Sequence, residues 1–307
     1  MLTDISQLIT AILAMSLISG CRGLESSAIS AAPSEARLAV TDDVRVADTE
    51  TSGDASARRK PKTQIETSLT DGDGLTFGTA RVSVAAMLPV SPPDSMLLVK
   101  PTFSAHSLES PLDTPSSLYS AGINMMWLEK LNDRTTLTIA ANPSLSGDDA
   151  EFGRHLRVFA MGAVGWDWIP DELRVTAGAA WLGRKDIGIV PAAGLEWTPN
   201  DDWNVSLILP RPRVSRRLFD SGTSEAWLYA AGSINGGTFD VRRGDGSSDE
   251  LSLREFQTAV GVELTNSQIG RGFLEVGAGF GRELQFESSQ GAVSFDPGLA
   301  LRLGLTR

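Results

Sequence analysis

The sequence predicts an all-β protein: a single antiparallel up-and-down transmembrane β-barrel of about 12 strands that follows a disordered N-terminal tether. Three observations predict it. Apolar residues alternate with small or polar ones, tryptophans lie at the borders of short turns, and short and long connections alternate along the chain. A barrel in a bilayer needs an apolar outer face and a partner for every backbone group.

The alternation is clearest in the last segment, where successive side chains of a strand would point to opposite faces. One face is all leucine and the other is small or polar: Leu299, Leu301, Leu303 and Leu305 against Ala300, Arg302, Gly304 and Thr306. The same pattern predicts about twelve strands. They span residues 77–88, 96–104, 118–128, 135–141, 156–168, 173–182, 187–198, 203–209, 226–241, 253–264, 273–286 and 298–306.

The connections between these strands predict the orientation in the membrane. Connections 129–134, 169–172 and 199–202 are short, whereas 105–117, 142–155 and 210–225 are longer. Membrane barrels have short periplasmic turns and longer extracellular loops. Connections 242–250 and 288–297 depart from this rule. We expect the tryptophans beside the short turns at the membrane–water interface: Trp127, Trp166, Trp168, Trp197 and Trp203.

The N-terminal region predicts export. Residues 8–18 form an apolar run of signal-peptide length, and residues 18–21 resemble the lipobox of bacterial lipoproteins, with Cys21 as the acylated residue. Ordinary cleavage and an uncleaved leader are the alternatives, and residues 1–7 lack the usual positive charge. We therefore predict a signal peptide or lipoprotein leader over 1–21. Residues 22–74, which contain no aromatic residue, are predicted to be a disordered linker, and 75–307 the barrel domain.

Composition excludes several classes of protein. The formal net charge of −11 argues against nucleic-acid binding. A mean hydropathy of −0.05 is too polar for a bundle of membrane helices. A single cysteine excludes an intrachain disulfide. Neither a metal-ligand cluster nor a cofactor motif has the required spacing, so no metal and no cofactor are expected.

The inward rows of the predicted barrel carry charge. We expect these residues to face the lumen: Glu196, Glu255, Glu263, Glu275, Glu283, Arg174 and Arg302. An acidic lumen would favour cations in a pore, whereas pairing of the glutamates with inward arginines would plug it. A basic patch over 211–217, placed in the long loop 210–225, is either a contact for lipopolysaccharide phosphates or a solvated loop.

One stretch carries a family resemblance. The run GLEWTPNDDWN at 194–204, followed by LILPRPR at 207–213, resembles a segment of an uncharacterised domain-of-unknown-function family of predicted bacterial outer-membrane β-barrel proteins. The resemblance implies a barrel fold over about 75–307 and the outer membrane as the compartment. It implies no activity.

The function expected from these features is that of a non-enzymatic outer-membrane barrel, either a narrow passive pore for an unknown small solute or a structural surface protein. Outer-membrane lipids and the barrel-insertion machinery are the expected partners, although the chain ends in Leu305-Thr306-Arg307 and not in the aromatic residue common in such barrels. One alternative is a lipid hydrolase that uses His106 or His155, both placed in loops. The other is a soluble or lipid-anchored β-domain.

Overall fold

The computed structural model describes residues 60–91, 94–181, 189–209, 211–289 and 291–307. No helix in this part of the chain is long and apolar enough to cross a membrane. Its strands are β1 (Lys62–Gly72), β2 (Leu75–Ser91), β3 (Ser95–Glu109), β4 (Ser117–Asn132), β5 (Thr135–Gly147), β6 (Leu156–Ile169), β7 (Leu173–Trp181), β8 (Ile189–Asn200), β9 (Trp203–Ser206), β10 (Arg213–Asp220), β11 (Ser224–Arg242), β12 (Ser248–Asn266), β13 (Gly270–Phe286), β14 (Val293–Phe295) and β15 (Gly298–Thr306).

The strands form one closed antiparallel barrel. Each strand from β1 to β13 pairs with the next, β13 pairs with β15, and β15 pairs with β1. The short β14 pairs with residues 282–284 near the end of β13, and it is not one of the strands that close the barrel. The barrel therefore has fourteen strands, two more than the sequence pattern predicts.

The two additional strands are β1 and β10, and both correct the prediction. β1 lies in the segment 22–74 that was predicted to be a disordered linker, and β10 lies in the predicted loop 210–225. The sequence pattern misses β1 because this strand is mostly polar: only Ile65 and Leu69 supply large apolar side chains to its outer face. The pattern misses β10 because its many arginines suggest a loop. The predicted leader and the part of the predicted linker before residue 60 lie outside the described residues.

Counting β10 explains the two connections that broke the length rule. With β10 in place, the β11–β12 and β13–β15 connections belong to the rim that carries the long loops. On the opposite rim only two or three residues separate β2 from β3, β4 from β5, β6 from β7, β8 from β9, β10 from β11 and β12 from β13. We call these edges the long-loop rim and the short-turn rim. The first residue of β1 and the last of β15 both lie at the short-turn rim.

The outer face of the barrel is an apolar belt. The outward row of β12 runs from Leu264 through Val260 to Phe256, all exposed, and ends at the charged Arg254. Ten residues at about 3.3 Å each, on a strand tilted by about 40°, span roughly 25 Å, which is the height of the apolar band on membrane barrels. Exposure confirms the predicted leucine row of β15, and alternate residues of β7, from Val175 to Trp181, are exposed in the same way.

A bulge in β13 reverses the faces above it. Gly281 has φ 57°, a left-handed conformation that glycine adopts without strain, and the register between β12 and β13 shifts there. Beyond the bulge Arg282, Leu284 and Phe286 point inward and are buried, while Glu283 lies on the outer face. Uninterrupted alternation along 273–286 would put Leu284 and Phe286 on the outer face, but the bulge turns them inward. The prediction that Glu283 faces the lumen is therefore wrong.

Candidate functional site: the barrel interior

Ion pairs cover the inner face of the wall that is formed by β1, β2 and β10–β15. Arg302 holds both carboxylate oxygens of Glu66, with Nε–Oε1 and Nη2–Oε2 distances of 2.8 Å. Arg302 also approaches Glu275 at 3.4 Å. Glu275 in turn accepts hydrogen bonds from Arg211 and from the Tyr229 hydroxyl, the latter at 2.7 Å. One network of side chains thus joins β1, β15, β13 and β11 on the inner face of the barrel.

Two further glutamates are paired in the same interior. Glu263 accepts hydrogen bonds from Arg213 at 2.9 Å and from Arg271 at 2.6 Å. The other is Glu255, whose Oε2 accepts from Nε of Arg282 at 2.8 Å, with side-chain exposures of 3% for Glu255 and 0% for Arg282. Because each of these carboxylates has a cationic partner, the interior is not the one-signed acidic surface that would favour cations.

The placement of the basic patch in a loop is wrong, because residues 213–220 form β10. The contact with lipopolysaccharide stays a prediction. Arg211 and Arg213 are each 7% exposed and bind glutamates inside the barrel. Arg217 approaches Asp202 at the short-turn rim, while Arg216 points outward with its guanidinium 5.7 Å from the centre of the Trp203 ring. The alternation of β10 separates these arginines, because neighbouring residues on a strand face opposite sides.

A cluster of buried apolar side chains lies at the long-loop rim. We call this group the mouth cluster: Leu75, Leu108, Leu118, Phe239, Val241, Leu251, Leu253, Leu284 and Phe286. Its members come from the ends of β2, β3, β4, β11, β12 and β13 that lie at this rim. Phe239, Val241, Leu118 and Leu251 are 0% exposed. The cluster therefore packs as an apolar core between β2–β4 and β11–β13.

The second half of β11 stays paired with β12 but not with β10. β10 pairs with β11 only between Glu225 and Ala231. Further along, Asp240 is aligned with Gly147 of β5 in a parallel pairing, although β5 is six strands away along the wall. The Asp148 amide donates to the Asp240 carbonyl at 3.1 Å. We call residues 236–242 the crossing segment.

Charged groups fasten the crossing segment. The Asp240 side chain is 2% exposed and accepts hydrogen bonds from Arg157 at 2.9 Å and 3.2 Å and one from Nδ1 of His155 at 2.8 Å. Arg242 donates to Glu151 at 2.7 Å. Burial opposes ionisation of Glu151, but hydrogen bonds from Arg242 and Ser248 outweigh it and lower the pKa of the carboxyl.

The remaining predicted residues fall in three places. Arg174 and Glu196 face one another on β7 and β8, and Arg174 donates to Asp167 at 2.7 Å. The five interface tryptophans, Trp127, Trp166, Trp168, Trp197 and Trp203, are exposed on the outer surface near the short-turn rim. Cys21 lies outside the described residues.

The two histidines differ in their surroundings. The sequence pattern predicts a loop at His106, but this residue lies in β3 inside the barrel and is 4% exposed. Its ring nitrogens lie 2.9 Å from the Ser120 hydroxyl and 3.0 Å from the Thr79 hydroxyl, and its ring stacks on Phe77. Residues 104–109 read Ser-Ala-His-Ser-Leu-Glu and contain no clean polar alternation, so periodicity does not predict this extension of β3. The His155 side chain is 59% exposed.

Comparison with known proteins shows similarity of fold only. LpxR from Salmonella typhimurium aligns with 8% identity and a TM-score of 0.41, over 80% of this chain and 99% of that one. An outer membrane channel from Pseudomonas putida F1 aligns with 12% identity and a TM-score of 0.38, over 83% and 98%. KdgM porin aligns with 8% identity and a TM-score of 0.34, over 80% and 97%. Similarities this weak assign no activity to this chain.

No protein-family model matches the chain, and no curated protein matches it significantly. The barrel fold implied by the resemblance of 194–213 agrees with the strands described above. The family itself stays a prediction.

Proposed function

We propose that this chain is a non-enzymatic integral protein of the bacterial outer membrane whose barrel is sealed at the cell-surface end. Its role is then that of a structural surface protein, not of a permanently open pore. The roughly 25 Å outer apolar belt, with tryptophans beside the short-turn rim, supports membrane insertion. Membrane barrels have short periplasmic turns, and this rule supports an orientation with the long-loop rim at the cell surface.

The observation that carries the sealed barrel is the crossing segment over the mouth cluster. A water-filled pore needs a continuous polar path, and the mouth cluster places fully buried Phe239 and Val241 across the interior. The ion pairs below it bind strands to one another through groups that a permeant ion would have to displace. Both features favour a filled barrel over a narrow passive pore.

Membrane insertion and sealing are tested separately. Washing membranes with carbonate and then urea should leave the protein in the pellet, as expected for an integral barrel. Release by either wash contradicts insertion and favours the anchored β-domain. In planar bilayers the wild-type protein should give no conductance steps, and regular open steps from it would contradict sealing.

Variants show whether the mouth cluster makes the seal. Phe239→Ala combined with Asp240→Ala removes an apolar plug residue and the anchor of the crossing segment, so conductance steps should appear. Phe280→Ala is the matched control, because it removes an aromatic ring from the outer face of β13 without touching the interior. Steps in the control but not in the double variant would overturn the assignment.

The hydrolase alternative rests on His106 and Ser120, whose 2.9 Å separation suits a base and a nucleophile. A second polar contact of His106 is to the Thr79 hydroxyl, where a catalytic carboxylate would orient the ring, and Phe77 and Phe239 cover the ring on two sides. We therefore propose that His106 is structural. Hydrolysis of phospholipid by the purified protein, lost in His106→Ala, would reverse that proposal.

A further inference from the structure

The outer wall formed by β10–β13 carries an apolar groove of about 590 Å³. Leu207, Pro212 and Val214 line one side, and Ala230, Thr258 and Ala278 contribute to its floor. We call it the wall groove. It exists because small outward residues on three neighbouring strands lie beside the connection between β9 and β10. Pro212 also accepts a backbone hydrogen bond from Gly232 of β11 at 2.9 Å, which brings that connection against the wall.

The wall groove lies within the apolar belt. Val214 aligns with Ala230, Ala230 with Val260, and Val260 with Val276, so the groove follows one row of outward residues across four strands. In β12 this row lies between Leu264 and Arg254, which bound the belt. In a bilayer the material at this depth is hydrocarbon, so a lipid acyl chain covers the groove.

A cationic side chain lies next to the groove on the periplasmic side. Arg216 follows Val214 by two residues on the outward face of β10, a distance of about 7 Å along the strand towards the short-turn rim. It is exposed and stacks over Trp203, a predicted interface tryptophan. In the described part of the chain Arg216 has no carboxylate partner, unlike Arg211, Arg213 and Arg217.

Together these features point to one ligand. We propose that the wall groove and Arg216 form a binding site for a phospholipid of the periplasmic leaflet, with an acyl chain in the groove and the phosphate on the Arg216 guanidinium. Arginine binds phosphate through charge-assisted hydrogen bonds, and the neighbouring indole suits the headgroup region. This inference rests on the proposed membrane location, and it adds a specific lipid contact that a bare apolar belt does not require.

Native mass spectrometry in detergent, with added dioleoyl phosphatidylglycerol as the probe, tests the site. The wild-type protein should retain one lipid at concentrations where the rest of the belt is delipidated. Arg216→Gln should weaken retention about tenfold by removing the phosphate contact, and Arg216→Lys should keep most of it. Ala230→Leu fills the groove and should also reduce retention. Ala177→Leu, at an exposed outward position of β7, is the matched control and should bind like the wild type.

Other results would overturn the site. Equal retention by the wild type, Arg216→Gln and Ala230→Leu means that the lipid binds elsewhere or without specificity. A dimer mass that disappears in Ala230→Leu means that a second copy of the chain occupies the groove. Both results leave the membrane location intact, because that location is tested by the carbonate and urea washes.

Discussion

The buried pair of Arg282 and Glu255 gives the sharpest stability prediction. Glu255 accepts hydrogen bonds from Arg282 at 2.8 Å and from Thr70 at 3.0 Å, in surroundings where neither charged side chain exceeds 3% exposure. Replacing Arg282 by Met leaves a buried carboxylate without its cation. Breaking such a pair costs about 3–5 kcal/mol because the remaining charge stays desolvated.

A second pair on the same two strands serves as the control. Arg254 and Glu283 are joined at 2.7 Å on the outer face, but their side chains are 58% and 32% exposed. Exposed pairs contribute about 0–1 kcal/mol, so Arg254→Met should change stability little. Both pairs bridge β12 and β13, so burial is the main difference between them.

Urea unfolding of protein inserted in lipid vesicles, followed by tryptophan fluorescence, measures both effects. The double variant Glu255→Gln/Arg282→Met removes both charges, while the amide oxygen that replaces the carboxylate can still accept from Thr70. It should therefore be more stable than Arg282→Met alone. Equal losses for Arg282→Met and Arg254→Met would refute the reasoning. The reasoning would also be refuted if the double variant lost as much stability as the sum of the losses of Glu255→Gln and Arg282→Met measured singly.

Three further predictions concern packing and pH. Gly279→Ala should cost about 1–3 kcal/mol of stability, because the new Cβ would lie 2.8 Å from both the Glu255 carboxyl carbon and Thr70. At Gly272 the atom nearest to the new Cβ is 3.7 Å away, so Gly272→Ala should be tolerated. Urea unfolding compares the two variants. The lowered pKa of Glu151 contributes stability that is present above its ordinary pKa and lost as pH falls through the folded-state pKa. Wild type should therefore melt higher than Glu151→Gln at pH 7, and this difference should shrink towards pH 3; a constant difference contradicts the reasoning. His106→Ala should cost about 1–3 kcal/mol by leaving two buried hydroxyls without a partner, and an unchanged unfolding midpoint would contradict a structural role.

The sequence predicts the barrel class because a strand whose two faces meet different surroundings alternates with a period of two. That signal locates β7 and β15 with their exposed rows, and it locates the start of β9, which ends at Ser206 and not at residue 209. It fails for β10 because inward arginines, each bound to a glutamate on a distant strand, look like a loop patch until the partners are known. It fails for β1 because the outer face of that strand has few large apolar residues.

The interior is predicted only in part. Glu255, Glu263, Glu275 and Arg302 lie inside as expected, because each occupies the polar row of a regular strand. Glu283 does not, because one glycine bulge changes the faces beyond it. Periodicity cannot predict the crossing segment, because this segment depends on the pairing of Asp240 with Gly147 of β5 on the other side of the barrel.

The central claim is that hydrocarbon covers the outer rows of a sealed barrel. Nitroxide labels placed one at a time along the outward row of β12, in protein carrying Cys21→Ser and inserted in vesicles, test it directly. Relative accessibility to oxygen over a water-soluble nickel complex should peak near Val260 and fall towards Arg254 and Asn266. A flat profile, with the nickel complex reaching Val260 as readily as Arg254, would contradict the account.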